Sequence, residues 1–499
     1  MNTGSTKHQF VSGVLWMTVV RALSQSITWI ITIFVVRLLT PVDYGLMGMA
    51  TLMSGFLALF SEIGLGLAII QRPNLRDEQL ASLRWLILAV HVLFFLALTG
   101  LAPVIAVYFN ETRLVDLVRV LATGFILQGI GAPSSFLLQR RMAFRDKALS
   151  ELLGSVTGGV STLIAALSGA GVWSLVIGYL VQQLLTNALY CVRAPFPFRL
   201  SFSTDGLAEY IGFGGQVTIA RILWYISSNA DFAVVGRLLG SVQLGFYGMA
   251  FQFSSLPLDR LVSIVTQVAF PSFSSLQNDD ETLRRYYLKL TSIVALVTFP
   301  MLIGLAMVAD AAVPLFLTSK WAPIIVPLQI LCVVSCFRAV EMLCHPLVVA
   351  KGQPRISLWN SLLQAIVLPI VFVIGARYWG LRGIAVAWLV TRPFIFAFVT
   401  TLTLRTIRLP FLTYINSLRH PIAGCLMMAL TVAATRQALH HASHALTLAM
   451  ACAAGIVVYT GYQFLFNAEM VREALQLIRA RRLPQGSPTS RSREAAATS

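Results

Sequence analysis

Residues 35–50 read VVRLLTPVDYGLMGMA, and residues 234–250 read VVGRLLGSVQLGFYGMA. With Arg37 set against Arg237, eight of the fourteen positions from that pair onward are identical, at a constant offset of 200. The same offset pairs Arg21 with Arg221 and Leu23 with Leu223. Further on, Arg145, Leu152 and Leu153 match Arg355, Leu362 and Leu363 at an offset of 210. Chance does not give identity at that density in register. The chain is therefore read as two homologous halves, and each half must hold a whole number of structural units.

What those units are follows from composition. Hydrophobic residues make up 57% of the 499 residues and charged residues only 11%; ordinary soluble domains run at roughly half and a quarter. The apolar residues fall into runs of about 20, the length a helix needs to cross about 30 Å of hydrocarbon. Only helices and closed barrels satisfy their backbone polar groups there. The runs lie at about 10–38, 42–68, 80–108, 113–139, 147–169 and 171–193, then 207–238, 241–270, 286–310, 322–349, 355–377 and 381–404. Two more, 413–436 and 444–466, follow. The expected fold is an all-α membrane protein of about 14 transmembrane helices. It divides into an N-terminal six-helix lobe at 1–197, a linker at 198–206, a C-terminal six-helix lobe at 207–405, two extra helices at 406–467 and a tail at 468–499. Six spans per half is an even number, so the halves insert with one orientation and their pseudo-twofold axis runs along the membrane normal.

The formal net charge of +17 raises nucleic acid as a partner, and its distribution answers that. About 24 of the 37 Lys and Arg fall in joints and tails of one sidedness, as the positive-inside rule requires. Basic joints at Arg72/Arg76, Arg140/Arg141/Arg145/Lys147, Arg284/Arg285/Lys289, Lys351/Arg355 and Arg405/Arg408 mark the cytoplasmic face. Both termini are expected there. The alternate joints near Pro41, Glu111, Gly169, Gly240 and His440 are short and poor in cations. No loop is long enough to house a catalytic domain. No cofactor or metal is expected, because Cys191, Cys332, Cys336, Cys344, Cys425 and Cys452 show no ligand spacing. A cleavable leader is not expected either, since the apolar run from Val11 to Thr40 is too long for one. Residues 468–483 form a basic amphipathic stretch suited to anionic lipid, and the remainder reads as disordered.

Beyond the repeat, FSEIGLGLAIIQRP at 60–73, FLLQRRMAFRDKALSELLG at 136–154 and FYGMAFQFSSLPLDRLVSIVTQVAFPSFSSLQ at 246–277 carry a resemblance. The chain resembles polysaccharide-transport members of the multidrug/oligosaccharidyl-lipid/polysaccharide flippase superfamily, over residues 9–405 and more loosely beyond. The resemblance implies a two-lobed protein of the bacterial inner membrane. Its expected cargo is a polyprenyl-pyrophosphate-linked oligosaccharide, passed from the inner to the outer leaflet for exopolysaccharide export. Membrane lipids are expected partners, with a polymerase and export proteins as further ones. An ion-coupled small-molecule exporter of the same fold, and a membrane polymerase or ligase of the same pathway, are the alternatives.

Such a headgroup is anionic, and the arginine fork binds phosphate through two parallel hydrogen bonds. Ionisable groups inside spans are costly and so are candidates by default. Arg21, Arg119, Arg221, Arg260, Arg338 and Arg392 lie in spans. Arg21 with Gln25, and Arg221 with Trp224, Ser228 and Asp231, form polar stripes at helical spacing. Cavity candidates are thus Arg21, Gln25, Arg221, Ser228, Arg260 and Arg392. Asp231 and Asp259 are the coupling-ion candidates, because buried carboxyls can exchange protons; structural ion pairs are the competing reading of both. Asp231 has Ile31 as its repeat mate, and Asp259 and Arg260 have Leu59 and Phe60, so the polarity is one-sided. Arg338 and Glu341 are spaced for an internal ion pair. Arg37 and Arg237, at the outer ends of symmetric helices, are expected to cap helix C-termini or to hold the short joint.

Overall fold

The structure, a computed structural model, describes residues 27–61, 77–195, 207–439 and 443–473. Arg21, Gln25 and Glu62 lie outside the described residues, as does the side chain of Arg221. Helices account for nearly everything described. They are α1 (Ile27–Leu38), α2 (Pro41–Ser61), α3 (Asp77–Phe109), α4 (Leu114–Arg140), α5 (Phe144–Leu167) and α6 (Val172–Arg193) in the first half. α7 (Leu207–Pro257) runs through a π-helical turn, Leu258–Val262, into α8 (Ser263–Ser275). Then come α9 (Asp280–Leu317), a 3-10 turn (Ser319–Ile324), α10 (Ile325–Glu341), α11 (Cys344–Ala350) and α12 (Arg355–Thr406). α13 (Phe411–Ser417), α14 (Arg419–Ala438) and α15 (His444–Phe466) complete the described fold.

Among the described residues, 10 helical segments are long and apolar enough to cross a membrane, or 11 if α13 and α14, bent by 44° at their junction, form one span. Two of the longest are each broken by a glycine. Gly240 has φ +83° and splits α7; Gly380 has φ +57° and splits α12. Only glycine visits such conformations cheaply. The break at 240 falls where the sequence expects a joint. Pro257 is followed by the π turn rather than by a helix end: the chain loses one ladder bond and takes up the slack as an i→i+5 turn. The large apolar side chains that remain exposed, among them Val107, Ile164, Leu184, Phe394 and Leu465, are the surface a bilayer would cover.

The chain divides into two compact units. The first comprises 1–255, 309–334 and 354–397. Lipid gives helices little hydrophobic reason to associate, so close approach and van der Waals packing must hold them. α5 and α6 meet that demand at Gly158 and Gly178: a Cβ on either would come within 2.7 or 2.8 Å of the other's carbonyl oxygen. Tyr190 of α6 donates to the Glu151 carboxylate of α5 at 3.2 Å. The second unit comprises 256–308, 335–353 and 398–499. Here Tyr459 donates to the Leu296 carbonyl at 2.7 Å and Arg436 to the Met307 carbonyl at 2.7 Å, tying α14 and α15 to α9. Lys351, after α11, bonds the Asp280 carboxylate and the Gln277 carbonyl, each at 2.8 Å. Lys289 pairs with Glu473 at 2.9 Å, so the described start of the basic tail is held to α9.

Candidate functional site

Within the first unit, the break at Gly240 reverses the chain, so the limb 241–255 returns beside the limb 207–239. Asp231 lies nine residues before the break and Tyr247 seven after it, so the two reach a similar depth. The Tyr247 hydroxyl donates to Asp231 Oδ2 at 2.5 Å. Trp388, on the second limb of α12, donates its Nε1–H toward the same carboxylate oxygen at 3.2 Å and toward the Tyr247 hydroxyl at 2.9 Å. The Phe232 backbone N–H reaches Asp231 Oδ1 at 2.9 Å. Asp231 and Tyr247 are 0% exposed. A buried carboxyl is tolerable only where donors converge on it in this way.

Helical spacing extends the cluster. Arg392, one turn after Trp388, places its guanidinium 5.7 Å from the indole centroid, a cation–π contact. Its Nη1 donates to Gln364 Oε1 at 3.3 Å, and Gln364 Nε2 donates to Asn360 Oδ1 at 3.0 Å. Arg392 is only 6% exposed. Phe372 packs on Trp388 at 5.1 Å between centroids, and Phe232 and Phe251 pack on Tyr247. Asp231, Tyr247, Trp388, Arg392, Gln364 and Asn360 thus form one chain of contacts, with a carboxyl at one end and a guanidinium near the other.

The residues singled out from sequence part company here. Asp231 and Arg392 belong to the same cluster, linked through the indole. The stripe Trp224, Ser228, Asp231 shares a helix face but not an environment: Trp224 is exposed, Ser228 half-buried and Asp231 buried. Asp259 and Arg260 occur in the second unit, exposed on the π turn, where the charges of Arg338 and Arg260 act on Asp259. Also in the second unit is a groove of about 720 Å³ lined by Leu412, Thr413, Asn416, Arg419, Ile422 and Leu426, which none of the sequence candidates joins. Tyr247 and Trp388 escaped the sequence reading. For Tyr247 a signal existed: its repeat mate is Met47, as that of Asp231 is Ile31, so two polar groups appear together where the first half is apolar.

Arg37 and Arg237 do cap carbonyls, as expected, but on the other half. Arg37 donates to the Leu315 and Phe316 carbonyls of α9 at 2.6 and 2.7 Å. Arg237 reaches the Val107 and Tyr108 carbonyls of α3 and stacks over the Tyr108 ring at 5.5 Å.

Comparisons with known proteins agree with this architecture. A family model described as "Polysaccharide biosynthesis protein" matches residues 34–326. The chain is 27% identical over 390 residues to the lipopolysaccharide biosynthesis protein WzxC of Escherichia coli (strain K12), covering 78% of this chain and 79% of that one. It is 27% identical over 461 residues to the succinoglycan biosynthesis transport protein ExoT of Rhizobium meliloti (strain 1021), covering 91% and 92%. Among solved structures, the lipid II flippase MurJ in an inward closed conformation superposes with a TM-score of 0.77 at 14% identity, over 92% of this chain and 100% of that one. At that identity the likeness is one of fold.

Proposed function

We propose, for a chain that belongs to the polysaccharide biosynthesis protein family, that it is a flippase for a lipid-linked oligosaccharide, making and breaking no bond. Its cargo is a polyprenyl-pyrophosphate-linked repeat unit, carried from the inner to the outer leaflet of a bacterial inner membrane for surface or exopolysaccharide export. Two relatives support the class by name: ExoT is called a transport protein and MurJ a lipid II flippase. The single observation that carries the reading is the buried chain from Arg392 through Trp388 to Asp231. Membrane helices keep such groups where function needs them.

In this reading Arg392 offers its fork to the pyrophosphate, with the Trp388 face fixing its plane. Arg21, Gln25, Arg221, Ser228 and Arg260 are further cavity residues by their place in the spans, and the prenyl tail stays in lipid. Asp231 is the group that couples transport to a proton or cation, with Asp259 as the second candidate. The six-helix lobes at 1–197 and 207–405 move about a pseudo-twofold along the membrane normal, and both termini are cytoplasmic. A polymerase and export proteins take the repeat unit onward.

The test is the fate of lipid-linked oligosaccharide in cells that lack the protein or carry Arg392→Ala. Complete repeat units should accumulate facing the cytoplasm while polymer is lost. Units that still reach the outer leaflet, with only polymer length altered, would sink the flippase and favour an enzyme of the pathway. Asp231→Asn should remove any dependence of transport on the proton or sodium gradient; a gradient response equal to the parent's would exclude Asp231 as the coupling group.

A further inference from the structure

At the end of the first unit marked by Gly240, the two halves of the chain touch through repeat mates. Gly45 and Gly245 are mates, as are Pro41 and Ser241. A Cβ built on Gly45 would lie 1.8 Å from the Ser241 carbonyl oxygen, and one on Gly245 would lie 1.8 Å from the Pro41 carbonyl oxygen. The start of α2 and the second limb of α7 therefore cross backbone to backbone, each glycine against the other half's first carbonyl. Around this crossing stand the exchanged arginines: Arg37 on the α9 carbonyls and Arg237 on the α3 carbonyls. Trp321, 0% exposed, donates to the Val36 carbonyl at 3.0 Å and packs between the rings of Tyr44 at 5.6 Å and Phe246 at 5.9 Å. Lys320 adds a bond to the Arg37 carbonyl at 2.6 Å.

We propose that this reciprocal crossing is the outer lock of the transport cycle: the Gly45 and Gly245 contacts and the Arg37 and Arg237 caps must part together for cargo to leave. The inference rests on the flippase reading for the direction of opening, and on the cation-poor joints for calling this end outer. Its parts suit a reversible closure. Most of the bonds are made to backbone carbonyls, which water can satisfy once the halves separate. Backbone contact at glycines leaves no side chain to interdigitate or to strip away. Packed contacts of this kind have discrete made and broken states rather than a continuum.

The experiment places a single cysteine at Ser228, in a protein whose six native cysteines are replaced by serine, and follows its reaction with a membrane-impermeant maleimide added outside. In Gly45→Leu and in Gly245→Leu, labelling should run about tenfold faster than in the parent, the factor that about 1.4 kcal/mol of lost closure gives. Combining the two should add little, because one broken contact already opens the lock. Labelling that stays at the parent rate in variants reaching the membrane in normal amount overturns the proposal. Should those variants fail to insert, Gly48→Cys with Leu244→Cys decides it. A Cβ on Gly48 lies 3.8 Å from the Leu244 Cγ, so a short cleavable thiol crosslinker can bridge the pair. Bridging should stop polymer production and cleavage should restore it. Production that continues with the bridge intact overturns the proposal. The labelling readout assumes no cargo, so the lock can stand even if the oligosaccharide reading fails.

Discussion

Trp388 shows how much one donor can carry inside a membrane. Its Nε1–H serves both the Asp231 carboxylate and the Tyr247 hydroxyl. Trp388→Phe keeps most of the shape and removes that donor, leaving buried polar groups short by one bond, at a cost of about 1–3 kcal/mol. Thermal unfolding in detergent should register the loss. Because Tyr247 and Asp231 share the network, Tyr247→Phe and Trp388→Phe together should depart from the sum of the single effects, whereas independent sites would add. Asp231 and Arg392 could be read from the sequence because charges stand out against apolar spans. Trp388 could not, because hydropathy treats its ring as apolar and is blind to the one polar atom it carries; the same blindness hides Tyr247, which stands out only when the repeat sets it against Met47. A second residue belongs to the joint between α3 and α4. Side-chain hydrogen bonding from Arg113, at 2.8 Å to each Glu111 oxygen, holds the Glu111 carboxyl below the ordinary glutamate range. A carboxyl lowered on folding stabilises the fold above its unfolded value, and that gain disappears as pH falls through the folded one. Glu111→Gln should therefore lower stability slightly at neutral pH and converge with the parent below the usual carboxylate range, flattening the acid limb of the profile, the effect staying small because Arg113 is exposed.

The long helices teach a different lesson about what apolar patterning records. Among the described residues most spans could be placed to within a few residues, and the joint at Gly240 was legible as a small residue between apolar runs. Its backbone, at φ +83° and ψ −179°, is a conformation essentially reserved for glycine. Gly240→Ala should destabilise by about 1–3 kcal/mol and lower the yield of folded protein in the membrane. Gly248→Ala, where a Cβ would find ordinary contact with Phe232 at 3.6 Å, should be tolerated. A comparable loss at both positions would mean that packing, not backbone conformation, sets the cost. Hydropathy did not foretell the π turn at Leu258–Val262, the interruption between α10 and α11, or the 44° bend between α13 and α14. Each redirects an apolar segment without interrupting its apolarity, so a scan sensitive only to transfer free energy passes over it.

At the scale of the molecule, the repeat did more than count helices. Eight identities in fourteen positions announced a duplication, but not why those positions were kept. The structure supplies a reason for two of those eight positions: Arg37 and Arg237, and Gly45 and Gly245, each contact the backbone of the opposite half. Arg37→Ala and Arg237→Ala should each cost about 1 kcal/mol in thermal unfolding, roughly what a hydrogen bond is worth. A loss in one and none in the other would show that the symmetry of the contacts is not a symmetry of their energies. The polar cluster obeys the opposite logic, since Asp231 and Tyr247 face Ile31 and Met47 in the alignment. Contact of one residue with a second, repeated by the second's counterpart with the first's, is the mark of an isologous interface between identical subunits. The Gly45–Gly245 crossing thus has the form of a homodimer seam closed within one chain. A true homodimer would have to place every buried group twice, whereas a single chain can keep the buried carboxyl of Asp231 in one half and Ile31 at the matching place in the other.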